Sequence, residues 1–92
     1  MKSIMQDDTE YCYFCGRYGT EIHHIFFGTA NRKLSDKYGL TVGLCYNHHR
    51  GNKGVHHNRE LDLMIKRKAQ ERFIEVYPES DFLAVFGKNY LL

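Results

Sequence analysis

The longest regular pattern of hydrophobic and polar positions lies in the second half of the chain. Between Arg59 and Tyr77, apolar residues recur three or four positions apart, which is the period of an α-helix with one buried face. Pro78 follows directly and cannot continue a helix. The pattern predicts an amphipathic helix over 59–77 whose apolar stripe belongs to the core. The stripe consists of Leu61, Met64, Ile65, Phe73, Val76 and Tyr77.

Shorter patterns predict the remaining elements. In "TEIHHIFFG" the apolar residues Ile22, Ile25, Phe26 and Phe27 favour a strand that Gly28 ends. The next segment, "TANRKLSDKYG", is a polar connector that can hold a helical turn and joins the two halves of a hairpin. The tail over 79–92 predicts a short helix capped by Ser80 and ended by Gly87. Either packing back on the domain or a homodimer contact suits its apolar residues.

Length and composition limit the class of protein. A chain of 92 residues predicts a single domain, 1–92, with a small core. We expect a flexible segment 1–10, a central unit 11–58, the helix and the tail. The net charge is only +2, so any nucleic-acid site must be a local basic patch. No apolar run approaches the roughly 20 residues that span a bilayer, and the N-terminus lacks the apolar stretch of a signal peptide. We therefore expect no membrane contact and a cytoplasmic location.

The three cysteines fall at spacings typical of zinc ligands. Cys12 and Cys15 form a C-x2-C pair, and Cys45 forms a C-x2-H pair with His48. Three thiols and one imidazole make the closed four-ligand set of structural zinc sites. The alternative is that the cysteines are small buried hydrophobic residues and that His48 is an exposed loop residue.

Five further histidines lie in two groups, one before Cys45 and one after His48. A lone histidine is more often structural than catalytic, but two groups attached to one zinc scaffold indicate a second site. The five are His23, His24, His49, His56 and His57.

The order of these motifs resembles that of the HNH (His-Asn-His) endonucleases, above all the small proteins of this family from phages and prophages. The resemblance covers residues 11–58: a C-x2-C pair, a His-His dyad on a strand, "LC-x2-HH" and a further histidine. It implies an α+β fold of the ββα-metal type with a treble-clef-like zinc site. Two positions depart from the family pattern. His48 stands where a fourth cysteine is usual, and "GLTVGLC" lacks the asparagine that normally precedes this motif.

The resemblance also implies roles for the histidines. His23 and His49 match ligands of a catalytic divalent metal, and His24 matches the general base. The third ligand comes from His56 or His57. We prefer His56, although adjacent histidines leave both open. Glu21 could orient His23 from outside the ligand set. Phosphate contacts are candidates among basic residues, with a solvated surface as the alternative: Arg32, Lys33, Arg50, Lys66 and Arg67.

The implied activity is hydrolysis of phosphodiester bonds in duplex DNA. Histidine, whose unperturbed pKa is near 6.5, suits a base that must start neutral. We expect a structural Zn²⁺ and one catalytic divalent ion, which is Mn²⁺, Ni²⁺, Co²⁺, Mg²⁺ or Zn²⁺. If the protein is phage-encoded, it acts in the bacterial host cell. The alternative function is a non-catalytic, zinc-stabilised module that binds nucleic acid.

Overall fold

The computed structural model describes residues 2–91; Met1 and Leu92, the ends of the predicted domain, lie outside this range. Within it, the chain forms a small α+β structure with two strands and four helices. The elements are β1 (Glu21–His24), α1 (Thr29–Tyr38), β2 (Thr41–Leu44), α2 (Tyr46–His49), α3 (Arg59–Val76) and α4 (Phe82–Phe86).

The two strands form an antiparallel hairpin without an inserted residue. Glu21 lies opposite Leu44 and His24 lies opposite Thr41, so the pairing is regular along the whole of β1. All four residues of β2 are buried. Gly43 allows this burial, because a Cβ at this position would overlap the Thr9 carbonyl oxygen in the segment that crosses the strand. β1 ends at His24 and is shorter than the predicted strand, which reached Phe27. Ile25 and Phe26 follow β1 and are buried in the core.

The polar connector between the strands is a ten-residue helix, α1, and not a loop with a single turn. Its sequence contains no glycine or proline, and Gly39 ends it in the left-handed conformation with φ of 73°. Buried Ser35 attaches α1 to the hairpin, since its hydroxyl donates to the Phe26 carbonyl and accepts from the Phe26 N–H. These two hydrogen bonds hold α1 against the segment that follows β1.

The helix predicted over 59–77 is present as α3, with one difference in its buried face. Asn58 caps the N-terminus by accepting a hydrogen bond from the Leu61 N–H. Ile65, Ala69 and Phe73, four residues apart, form the fully buried stripe. Met64, which was expected in the core, is 42% exposed because it lies on the side of the helix opposite Phe73.

An aromatic cluster holds the C-terminal tail against the domain. Phe82 and Phe86 of α4 contact Phe26, with ring centroids 5.2 and 4.7 Å apart, and both also contact Phe73. The tail thus packs back on the domain, while the predicted homodimer stays a prediction. The cap of α4 is Asp81, whose carboxylate accepts from the Leu83 N–H, and not Ser80.

The described part of segment 1–10 runs beside the hairpin and α1. The Ile4 N–H donates to the Gly39 carbonyl at 2.8 Å, and the Gln6 side chain accepts from the Gly43 N–H at 2.7 Å. Arg72 of α3 donates to the Ile4 carbonyl. The mobility expected of this segment stays a prediction. Among residues 2–91, no helix is long and apolar enough to cross a membrane.

Candidate metal centres

The first cluster joins a tight turn to the start of α2. Cys12 and Cys15 lie in a turn closed by hydrogen bonds from the Gly16 N–H to the Cys12 carbonyl and from the Cys12 N–H to the Arg17 carbonyl. Cys45 is the N-cap of α2, and His48 lies one turn into that helix. The predicted four-residue set is thereby brought together, with every pair of ligand atoms within 4.8 Å.

The distances in this cluster suit a single tetrahedral ion. Cys15 Sγ lies 3.8 Å from Cys45 Sγ, and His48 Nδ1 lies 3.6 Å from Cys12 Sγ and 3.3 Å from Cys45 Sγ. Zinc–ligand bonds of about 2.3 Å to sulfur and about 2.0 Å to nitrogen at tetrahedral angles give ligand separations of about 3.8 and about 3.5 Å. The four residues could therefore bind a metal ion, and their chemistry is consistent with a structural zinc.

Backbone N–H groups prepare one sulfur for this role. Burial by itself would raise the pKa of Cys12, but N–H groups of Cys45, Cys15 and Phe14 point at the sulfur and lower the pKa to about 6. The thiolate, which is the form that binds a metal, is thus favoured before any ion arrives.

The second cluster contains one histidine from each of three segments. His23 lies on β1, His49 is the last residue of α2, and His56 lies in the loop that follows. One ring nitrogen from each lies within 4.8 Å of the other two. Of the adjacent pair that the sequence left open, His56 joins this cluster, and His57 is exposed on the loop outside it.

A loop that folds back on α2 places His56. The Val55 N–H donates to the His48 carbonyl at 2.8 Å, and the Val55 side chain is buried in the core. Gly54 makes this close return possible, because a Cβ on it would lie 2.8 Å from the carbonyl carbons of both His48 and His49. The sequence pattern gave no sign of this packing.

Burial disfavours the charged form of His23 in the second cluster. Burial is the main cause that lowers the pKa of His23 to about 3, and the nearby His49, His56 and Lys66 charges lower it further. Its Nε2 atom is shielded from solvent and has no hydrogen-bond partner among residues 2–91. His49 Nε2 and His56 Nε2 lie 3.1 Å apart. A hydrogen bond between them would explain that distance but leaves the His23 nitrogen unsatisfied.

Glu21 contacts a different histidine from the one expected. Its Oε1 atom accepts from His49 Nδ1 at 2.8 Å and from Arg50 Nε at 2.9 Å. The hydrogen bonds from His49 and then Arg50 lower the pKa of the Glu21 carboxyl. Since a carboxylate only accepts, the short contact places a proton on His49 Nδ1, and the other ring nitrogen, Nε2, faces the cluster.

His24 opens onto the same cleft although it follows His23 on a regular strand. A cleft of about 230 Å³ is lined by the three clustered histidines together with His24, Phe27, Arg32 and Arg50. The cleft takes in residues from both faces of β1, so a regular strand brings both histidines to it without an inserted residue. His24 Nε2 lies 3.8 Å from an Asp36 carboxylate oxygen on α1, a neighbour that the sequence did not suggest.

Three of the candidate phosphate contacts lie at the cleft or beside it, and the other two lie on α3 outside its lining. Arg32 and Arg50 line the cleft, and Lys33 lies with Arg32 and His24 beside an adjoining groove. Lys66 differs from the expectation of an exposed contact: it is buried, pairs with Asp62 at 2.8 Å and lies 4.1 Å from the centre of the Phe27 ring. The i,i+4 spacing of Asp62 and Lys66 was a signal for this pair.

Arg67 is exposed on α3, and its Nε donates to the Tyr90 carbonyl.

Comparisons of the chain with models of protein families, with curated proteins and with solved structures give no match.

Proposed function

We propose that this protein is a metal-dependent DNA endonuclease of the HNH, ββα-metal type, stabilised by a zinc ion at Cys12, Cys15, Cys45 and His48. The observation that carries the proposal is the unpartnered, buried Nε2 of His23, which faces two further imidazoles in an open cleft. Buried nitrogen atoms are normally hydrogen-bonded, so an unpartnered one beside two further imidazoles supports a cation site here.

The two clusters suit different tasks. The Cys3His cluster offers four ligands, as structural zinc sites do, whereas the second offers three imidazoles and opens to solvent. His23, His49 and His56 would hold a divalent ion, which would supply Lewis-acid stabilisation of charge on the phosphate. Coordination positions left free by the protein are what that chemistry requires.

The protein's own residues complete the proposed reaction. His24 takes a proton from a water molecule whose oxygen then bonds to phosphorus, while the bond from phosphorus to the 3′ oxygen breaks and that oxygen gains a proton from solvent. Asp36 beside His24 would stabilise the imidazolium that results. Arg32 and Arg50 line the cleft and would hold the phosphate by its charge.

The test is incubation of purified protein with supercoiled plasmid in a series of divalent metals, beside the variants His24→Ala and His57→Ala. We expect His24→Ala to lose roughly 10²–10⁴-fold in cleavage rate, the usual contribution of a general base, while melting temperature and zinc content stay unchanged. His57→Ala removes an exposed histidine outside the cluster and should cut like the unsubstituted protein. Cleavage by His24→Ala at the full rate would contradict the role of this residue.

A gel-shift measurement beside the plasmid assay distinguishes the endonuclease from the alternative function. A non-catalytic module would retard DNA in gel-shift measurements but release no nicked plasmid in any metal. That outcome would replace the endonuclease with a zinc-stabilised DNA-binding protein.

A further inference from the structure

The side chain of Glu21 connects a buried imidazole with an exposed guanidinium. His49 is buried and belongs to the three-histidine cluster, whereas Arg50 is 58% exposed and lines the cleft. Both donate to the same oxygen of Glu21, at 2.8 and 2.9 Å. An exposed Arg–Glu pair alone contributes little to stability, so a surface ion pair is a poor account of this arrangement.

The contact to His49 has a direct consequence for the cluster. Only Nδ1 of His49 faces the carboxylate, and Nε2 lies on the side of His23 and His56, so in the neutral ring a proton held on Nδ1 leaves Nε2 able to bind a cation. Metal-binding histidines commonly donate their second nitrogen to a carboxylate, which fixes the tautomer and makes the ligand more basic. The contact to Arg50 restrains the carboxylate, since Glu21 lies at an exposed position of β1 and is itself about half exposed.

We propose that Glu21 is a positioning residue that orients His49 as a metal ligand, and that Arg50 acts on the metal through Glu21. This inference rests on the metal site of the proposed function but not on its nuclease activity. It assigns Arg50 a task beyond contact with phosphate.

The experiment measures metal affinity without DNA. Protein whose Cys3His cluster is filled with zinc is titrated with Co²⁺, and the visible absorption of Co²⁺ at imidazole nitrogens reports the second site. We expect Glu21→Ala to weaken Co²⁺ binding by roughly 10- to 100-fold and to alter the absorption spectrum. Glu21→Gln keeps an oxygen that accepts from His49 Nδ1, so its loss should be clearly smaller. Glu79→Ala, at an exposed carboxylate in the turn before α4, should bind Co²⁺ like the unsubstituted protein.

A double-mutant comparison tests the part assigned to Arg50. Arg50→Gln should weaken Co²⁺ binding by less than Glu21→Ala does, and adding it to Glu21→Ala should change the affinity no further. An equal, independent loss in both backgrounds would overturn action through Glu21.

The remaining outcomes are equally decisive. Equal losses for Glu21→Ala and Glu21→Gln would mean that general charge attraction, and not the hydrogen bond, acts on the metal. Unchanged affinity in Glu21→Ala would overturn the inference outright. If the unsubstituted protein binds no second Co²⁺, the inference and the proposed function fail together. Failure to cut plasmid with the expected Co²⁺ affinities would remove only the nuclease.

Discussion

At the residue scale, the fold places the two members of each adjacent histidine pair in different environments. His23 enters the second cluster while His24 faces Asp36, and His56 enters it while His57 stays outside. His48 and His49 are divided between the two clusters. Neighbours on a strand point to opposite faces, and neighbours on a helix are rotated by about 100° from one another. Adjacent identical residues therefore have different environments, and single substitutions can distinguish them.

The pair His56 and His57 provides a matched test at this scale. His56→Ala should weaken Co²⁺ binding at the second cluster by roughly tenfold or more, because loss of a ligand should cost at least as much as loss of its supporting partner. His57→Ala should leave that affinity unchanged. Titration of both variants with zinc already at the Cys3His cluster measures the difference. A larger loss in His57→Ala would mean that the loop adopts another conformation when metal binds.

The donor types at the second cluster also predict which metals work. Mg²⁺ prefers hard oxygen ligands and strict octahedral geometry, whereas imidazole suits transition metals. The cluster contains three imidazoles and, within residues 2–91, no carboxylate as close as they are to one another. Plasmid cleavage at equal metal concentrations should be faster in Mn²⁺, Ni²⁺ or Co²⁺ than in Mg²⁺. Best activity in Mg²⁺ would indicate a carboxylate ligand recruited on binding.

At the scale of elements, one short helix couples the two clusters. Cys45 and His48 belong to the first cluster and His49 to the second, all within the five residues from the N-cap to the end of α2. The loop over 51–57 returns against this turn and brings His56. The geometry of the second site therefore depends on how closely the loop approaches α2.

Gly54→Ala tests this dependence. The added Cβ would meet the His48 and His49 carbonyl carbons at 2.8 Å, so backbone must move, at a cost of about 1–3 kcal/mol for forced overpacking. We expect a lower melting temperature and weaker Co²⁺ binding at the second cluster with zinc retained at the first. Asn52→Ala, at an exposed position in the same loop, is the control and should change neither quantity. Wild-type Co²⁺ affinity in Gly54→Ala would show that the loop position tolerates the shift.

At the scale of the whole molecule, two kinds of packing hold the chain together. The aromatic side chains of Phe26, Phe73, Phe82 and Phe86 join the hairpin to α3 and α4. The turn carrying Cys12 and Cys15 packs on the core through half-buried Tyr13 and Phe14, and it meets α2 at the Cys3His cluster. A metal ion there would substitute for a core that so short a chain cannot extend.

Removal of this ion should unfold the domain. Structural zinc in small domains contributes about 10–16 kcal/mol, which equals or exceeds the about 5–15 kcal/mol by which a domain is stable. We expect Cys45→Ser, or prolonged chelation of the unsubstituted protein, to abolish cooperative thermal unfolding, and metal analysis to find about one tightly held zinc per chain. Asn47→Ser, an exposed change in the same turn, should melt normally. A Cys45→Ser protein with the original melting temperature would contradict a structural metal at this cluster.

The sequence by itself determined the features that depend on local spacing. The two x2 pairs predicted the first cluster, because ligands three residues apart in tight turns converge on one ion whatever surrounds them. Helical periodicity with Pro78 predicted α3, and the two groups of histidines predicted a second site, whose ligands His23, His49 and either His56 or His57 the resemblance to the HNH endonucleases implied.

Only the tertiary structure decided what depends on contacts between distant segments. α1 is a ten-residue helix where the sequence predicted a connector with a helical turn, and its buried Ser35 hydrogen-bonds with Phe26. Glu21 pairs with His49 and not with His23, because β1 places its side chain beside the end of α2. The choice of His56 over His57 follows from the return of the loop at Gly54, a backbone contact that side-chain patterns do not encode.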